Sequence, residues 1–277
     1  AISNAEGTMS KRVKWRDLSK YTFLLPPKKE QEKLTKLLWS ADEMVEKNYN
    51  LLNLTKKLYE VQIEKEIHGI NLKDKLIDDV LTELNKKNIL VYLEDLGQFF
   101  KGKGIPKSDL KEQGLPCIRY GELYTRHHNI IRDFGSFISN EDKSKSFKIN
   151  KNDLLLAGSG ETIDEIGKSA VFKDDLEAYA GGDILIFRPY DMDGHYLGYL
   201  MNSKLVRYQL NRLGTGSTVM HIYNSDLSKI KVPKIEKNLQ IKISSKLELI
   251  FEVISKTEKK IIKAKSLRNN LINQICQ

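Results

Sequence analysis

The sequence predicts an α+β protein, in which a globular domain of mixed short strands and helices accompanies two long helices that pair as a coiled coil. Three observations lead there. Leu34, Leu38, Ala41, Val45, Leu52 and Leu58 recur at helical spacing, which marks one face of a long helix. The pattern returns 209 residues later, placing these six on Ile243, Leu247, Ile250, Ile254, Ile261 and Leu267, with polar Asn48 on Thr257. Between the copies, short β-rich runs alternate with Gly, Asp and Asn turns.

The offset holds without a gap. Asp17-Leu18-Ser19-Lys20 meets Asp226-Leu227-Ser228-Lys229, Gly7 meets Gly216 and Thr8 meets Ser217. This is an internal repeat of about sixty residues, and it organises the chain. Residues 1–27 match the end of the region before the second helix, so they read as the terminal part of an upstream domain. A chain opening this way, without an initiator Met, is expected to be a fragment.

Pro26 and Pro27 place the start of the first long helix, 28–67, because proline is tolerated in a first turn. Such a helix would run about 58 Å at 1.5 Å per residue. It cannot bury its stripe alone, and the second long helix, 236–277, supplies a partner of matching length. For most residues of these helices a structural role without chemistry is the expectation. His68-Gly69 breaks the first helix, and 68–89 reads as a linker with a short amphipathic helix over 72–85, built on Leu72, Leu76, Ile77, Val80, Leu81 and Leu84.

Residues 90–235 form the globular domain, large enough for its own core. Strands are expected at Phe134–Ile138, Leu154–Leu156, Ala170–Phe172 and Ile184–Phe187, with one helix over His195–Leu213.

Composition narrows the function classes. The 277 residues are 40% hydrophobic and 30% charged, with no bilayer-spanning run and no signal-peptide pattern, so a cytoplasmic protein without membrane association is expected. Cys117 and Cys276 lie outside any paired spacing, which suggests neither a disulfide framework nor a zinc site. The net charge of +9 sits at the ends. Residues 1–27 carry five basic against two acidic residues and 236–277 nine against four, whereas 90–235 carries twenty against nineteen. Any nucleic-acid face must therefore come from how charges cluster.

Three stretches bear chemistry. Lys101-Gly102-Lys103-Gly104-Ile105-Pro106-Lys107 sets lysines among glycines, which lets backbone approach a phosphate, and Arg119 with Tyr120 follows as candidates for base edges. Ala157-Gly158-Ser159-Gly160-Glu161-Thr162 leads to Gly167-Lys168-Ser169. A phosphate-binding loop ending there needs glycine at 162, and Thr162 rules ATP binding out. Ser159, Glu161 and Thr162 are candidates for a groove instead, with Lys168 for phosphate. The third stretch runs from Arg212 through Gly214-Thr215-Gly216-Ser217 to His221 and Tyr223. Arg212, Thr215 and Ser217 suit phosphates, and His221 and Tyr223 suit bases. The five histidines show no ligand spacing for a metal, and no serine sits in a nucleophile elbow, so a binding module without catalytic residues is expected.

These residues resemble a known family, the specificity subunits of type I restriction–modification enzymes. The matching pieces are Leu25-Pro26-Pro27 with Glu30-Gln31, Gly114 to Tyr124, Asp153 to Thr162, Gly181-Gly182-Asp183-Ile184, and Gly216 to Tyr223; the proline pair is reduced to Pro233 in the second copy. The resemblance implies target recognition domains alternating with long helices packed antiparallel, each domain reading half of a bipartite double-stranded DNA site. It implies methyltransferase subunits holding S-adenosylmethionine, and restriction subunits using ATP and Mg, as partners, with no cofactor bound by this chain. A half-sized specificity protein that homodimerises, and a non-catalytic coiled-coil scaffold, remain alternatives.

Overall fold

The structure, a computed structural model, describes residues 14–20, 22, 25–68, 75–214 and 220–275. It divides into two compact units, Ala1–Lys56 with Val253–Gln277, and Lys57–Glu252. The helices are α1 (Trp15–Leu18), α2 (Lys28–His68), α3 (Ile77–Lys86), α4 (Glu122–Thr125), α5 (Gly194–Met201), α6 (Lys204–Leu213), α7 (Asn224–Leu227) and α8 (Lys237–Ile275).

The repeat is written into the helix boundaries. At the same offset, α1 coincides with α7, and Lys28 of α2 with Lys237 of α8. Both long helices also start with the same cap. Gln31 Nε2 donates to Pro26 O at 2.6 Å and Gln240 Nε2 to Ile235 O at 2.9 Å, so each glutamine reaches back to a carbonyl at the helix entrance.

In the first unit, α2 and α8 bury Ala41, Val45 and Leu52 on one side and Ile254, Thr257, Ile261 and Ala264 on the other. Cross-helix pairs run antiparallel: Lys56 with Glu258 at 2.8 Å, Tyr49 under the Lys265 ammonium, and Asp42 with Arg268 at 3.1 Å. Leu58 and Leu267 depart from the expected stripe, being 50% and 52% exposed. Six residues beyond Leu52 or Ile261 a helix has turned well away from the starting face. The heptad positions are Thr55 and Ala264, followed by Tyr59 and Arg268.

The second unit is a mixed α+β assembly. Its strands are β1 (Leu90–Tyr92), β2 (Gly97–Lys101), β3 (Leu115–Ile118), β4 (Asn129–Ile131), β5 (Ser136–Ile138), β6 (Phe147–Ile149), β7 (Leu154–Ala157), β8 (Ser159–Gly160), β9 (Ser169–Phe172), β10 (Ala178–Ala180), β11 (Ile184–Pro189), β12 (Met220–His221) and β13 (Lys231–Pro233). A five-stranded sheet has the order β2-β11-β7-β9-β4, and a four-stranded sheet the order β5-β3-β10-β6. The pairs β4–β9 and β3–β10 are parallel, and the other pairs within these two sheets are antiparallel.

The unbroken apolar runs of β7, β9 and β11 follow from burial on both faces. Alternate residues Leu154, Leu156, Val171, Leu185 and Phe187 pack with α5, α6, Ile67 of α2, and Ile243 and Leu247 of α8. Their neighbours Leu155, Ala157, Ala170, Phe172, Ile184 and Ile186 pack against Ile118, Ile149 and Ala180 of the four-stranded sheet. The period of two thus sorts one sequence into two cores.

Two elements differ from expectation. The helix expected over 195–213 is two, because Asn202 turns its Nδ2 onto Gly198 O, Ser169 O and Asn129 Oδ1 while Ser203 Oγ donates to Leu200 O. These side chains compete with the helical ladder and stop it. The linker helix begins at Ile77, with Leu76 73% exposed just outside it and Val80 and Leu84 buried; Leu72 lies outside the described residues. Smaller shifts trim Phe134 from β5 and add Ala157 to β7.

The ends of α2 and α8 that belong to this unit are held by polar bonds as well as by the core. Arg132 lies over the Phe251 ring at 4.0 Å and donates to Glu248 through both terminal nitrogens, at 2.5 and 2.8 Å. Glu248 also accepts from the Tyr199 hydroxyl at 3.0 Å, and Tyr199 meets Tyr59 edge-on. Burial pushes the Glu248 carboxyl up, but Arg132 and Tyr199 outweigh it and hold the group below the usual carboxylate range.

Candidate nucleic-acid interface

Loops at one end of the strands bring five of the candidate residues, Arg119, Tyr120, Lys101, His221 and Tyr223, onto two neighbouring clefts. Arg119 and Tyr120 follow β3, and the Arg119 amide donates to Glu122 Oε2 at 2.8 Å. They line an open cleft of about 360 Å³ whose opposite wall is Gly104, Gly182 and Asp183. Lys103 and Lys107 are exposed on either side of that wall's Gly104–Pro106 segment. A second cleft of about 330 Å³ is lined by Lys101, Asp183, His221, Tyr223 and Asn224. Asp183 belongs to both.

Close backbone approach makes this possible. A Cβ on Gly102 would lie 2.0 Å from Gly181 O, so only glycine lets the 101–106 loop pass the 181–183 turn. Gly102 N donates to Ile184 O at 2.8 Å, and Gly158 N to Asp183 O at 2.8 Å, tying two of the candidate stretches to the 181–184 turn.

Strand alternation sets the second cleft. Ile222 is buried and its amide donates to Gly158 O at 3.0 Å, which turns His221 and Tyr223 outward, their rings stacked at 6.3 Å and 20°. Tyr223 is 54% exposed. Asn224 Nδ2 donates to Phe100 O at 3.3 Å and leaves its Oδ1 buried without a partner among the described residues.

The 158–168 loop is built around two residues that sequence inspection missed. Glu165 Oε2 accepts from the amides of Glu161 at 2.7 Å and Thr162 at 3.2 Å, leaving both side chains exposed. Arg207 of α6 donates to the carbonyls of Ile166, Ile163 and Asp164, and burial draws its guanidinium below its ordinary pKa. Burial, then Tyr120, Glu165 and Glu161, push the Tyr124 hydroxyl up.

Other candidates sit elsewhere. Ser159, 6% exposed, is buried in β8 opposite His221. Lys168 is partly buried, its backbone held by Glu165 O and by the Ala157 amide. Arg212 extends from α6 to Tyr208 Oη at 2.9 Å and Asp78 Oδ1 at 3.5 Å. Thr215 and Ser217 lie outside the described residues. Asp183, with φ of 58°, is the important omission: an aspartate after Gly-Gly is a recognisable signal for a left-handed turn, but nothing local says that two clefts meet there. Among the described residues no cluster of His, Cys, Asp and Glu could hold a metal ion, and no helix is long and apolar enough to cross a membrane.

An open, loop-built surface of cations and aromatics on a mixed α+β unit defines a recognition module. The chain belongs to the family described as the type I restriction modification DNA specificity domain, whose model matches residues 85–265. The specificity subunit of the type I restriction enzyme MjaVIII from Methanocaldococcus jannaschii is 24% identical over 281 residues, covering 98% of this chain and 65% of that protein. Among solved structures, the type I restriction–modification S subunit from M. genitalium superposes with a TM-score of 0.61 at 15% identity, covering 99% of this chain and 68% of that one. The HsdS subunit from Thermoanaerobacter tengcongensis superposes with a TM-score of 0.56 at 17% identity, covering 99% and 65%. The fold is therefore shared, and the chain spans 65% of the length of the curated relative it matches.

Proposed function

We propose that this chain is the DNA-reading component of a type I restriction–modification assembly. In this reading, residues 90–235 are a target recognition domain for one half of a bipartite double-stranded site, and α2 and α8 are the spacer between readers. The supporting observation is the pair of clefts that meet at Asp183, which join Arg119 and Tyr120 to Lys101, His221 and Tyr223. Cations and exposed aromatic rings on one surface suit a polyanion with base edges between its phosphates. Lys101, Lys103 and Lys107 take phosphates, while Arg119, Tyr120, His221 and Tyr223 face the groove.

Catalysis belongs to partners: S-adenosylmethionine to methyltransferase subunits, and ATP and Mg to restriction subunits, all in the cytoplasm. A docking face is available on α2, where Leu37, Met44 and Leu51 repeat every seven residues and are 47%, 43% and 48% exposed.

Selection from a random duplex library, with the chain alone and with a coexpressed methyltransferase subunit, tests the reading. A split motif recovered in common supports it; recovery of unselected sequence, and failure to copurify with the methyltransferase, overturns it. Arg119→Ala is expected to relax one position of the motif by about 1–3 kcal/mol. Uniform weakening on every sequence would make Arg119 a phosphate contact instead.

A further inference from the structure

The two clefts differ from a simple cationic groove in one respect. Their shared residue is an acid. Asp183 is exposed on the turn before β11, and its carboxylate has no ion-pair or hydrogen-bond partner among the described residues, although Lys101 and Arg119 line the same clefts. Its backbone is held on both sides. The Asp183 carbonyl accepts from Gly158 N at 2.8 Å, and the next residue, Ile184, accepts from Gly102 N at 2.8 Å. The carboxylate is thus presented from a fixed point, with cations to either side.

A phosphate is repelled at that point, whereas the flanking Lys101 and Arg119 attract one. The polyanion that fits has its phosphates beside the acid and a hydrogen-bond donor opposite it. On the edges of base pairs in the major groove, the donors are the exocyclic amines of cytosine N4 and adenine N6. We infer that Asp183 is a specificity-determining residue that accepts a hydrogen bond from the exocyclic amine of one base in the target. This rests on the proposed DNA-reading function and assigns that function an acceptor.

The test uses the full chain and two variants chosen for the backbone. At φ of 58° a Cβ is disfavoured, so Asp183→Gly removes the carboxylate while keeping a turn that glycine adopts freely. Asp183→Asn also tolerates this conformation and replaces one acceptor oxygen by a donor. Unchanged thermal unfolding confirms that both remain folded.

In selection from a random duplex library, the wild type is expected to prefer cytosine or adenine at one position. Asp183→Gly is expected to lose that preference by about tenfold to a hundredfold at that position alone. Its affinity for unrelated duplex should hold or rise, because a negative charge has left the groove. Asp183→Asn should move the position toward adenine, which asparagine pairs with bidentately.

Duplexes carrying 2-pyrimidinone for the cytosine, or purine for the adenine, then identify the source. The analogue lacking the contacted amine should weaken wild type and leave Asp183→Gly unaffected. If Asp183→Gly selects the wild-type motif with undiminished strength, or weakens on every sequence equally, the assignment is wrong and the DNA-reading function stands. If the wild type selects no motif, the function itself falls.

Discussion

Replacing Arg207 by Met tests how the 158–168 loop is held. Its Nη1 donates to Ile166 O at 2.6 Å, and its Nη2 is shared among Ile163 O, Asp164 O and Asn211 Oδ1, each at 3.2 Å. Methionine keeps the packed stem and removes every donor. The Asp164 carbonyl is solvated and turns to water at little cost, but the Ile163 and Ile166 carbonyls are partly buried and lose a charged partner. Each such loss is worth about 1–3 kcal/mol, so a total near 3 kcal/mol is expected after solvent recovers part of it. If the loss falls on the whole unit, the melting temperature drops by about 6–12 °C. If the loop opens locally instead, exchange of the Glu165, Gly167 and Lys168 amides, whose acceptors all lie within 157–165, accelerates by about a hundredfold. Thermal unfolding and amide hydrogen exchange distinguish the two routes. A variant with less than about 2 °C of shift and unchanged exchange would refute the view that Arg207 holds this loop.

Three further outcomes follow from the same kind of accounting. Leu52→Ala, at a position 7% exposed, should cost about 3 kcal/mol in urea unfolding followed by helical circular dichroism, whereas Leu58→Ala, at 50% exposed, should stay within about 0.5 kcal/mol; equal costs would contradict the heptad assignment. His127 is 2% exposed, and burial pulls its pKa down to about 4. The unfolded chain binds that proton near the ordinary value of about 6.5, so the stabilisation due to His127 is full above that pH and declines as pH falls toward 4. An NMR titration of His127 close to the ordinary value would rule this out. Burial pushes the Cys117 thiol up to about 12, so in a Cys276→Ser chain a thiol reagent near neutral pH should label Cys117 only on unfolding, and rapid labelling of the native protein would show the burial to be wrong.

Much of this architecture is legible in sequence because it is local or periodic. Heptad spacing marks the buried face of α2 and α8, and the offset of 209 residues carries through to their matching first residues. It fails at Leu58 and Leu267, apolar residues whose rotation about the helix carries them off the buried face. The strands β7, β9 and β11 are visible as apolar runs, since burial on two faces demands side chains without polar atoms. Chemical type points to Arg119, Tyr120, Lys101, His221 and Tyr223, which line the cleft walls, but equally to Ser159, which is buried.

The two amphipathic rods, their duplication and the mixed strands between them are thus legible along the chain, all being properties of short-range spacing. Only folding brings the 101–106 loop, the 158–168 loop, the 181–183 turn and β12 to one point. Backbone bonds from Gly102 to Ile184 and from Gly158 to Asp183, and the reach of Arg207 to Ile166, join residues that are distant in the chain and have no pattern of their own. The break at Asn202 has the same origin, because its amide finds better partners on β4 and β9 than the helix offers. Such contacts depend on where a folded core puts two loops, and a spacing rule along one segment carries no information about the other.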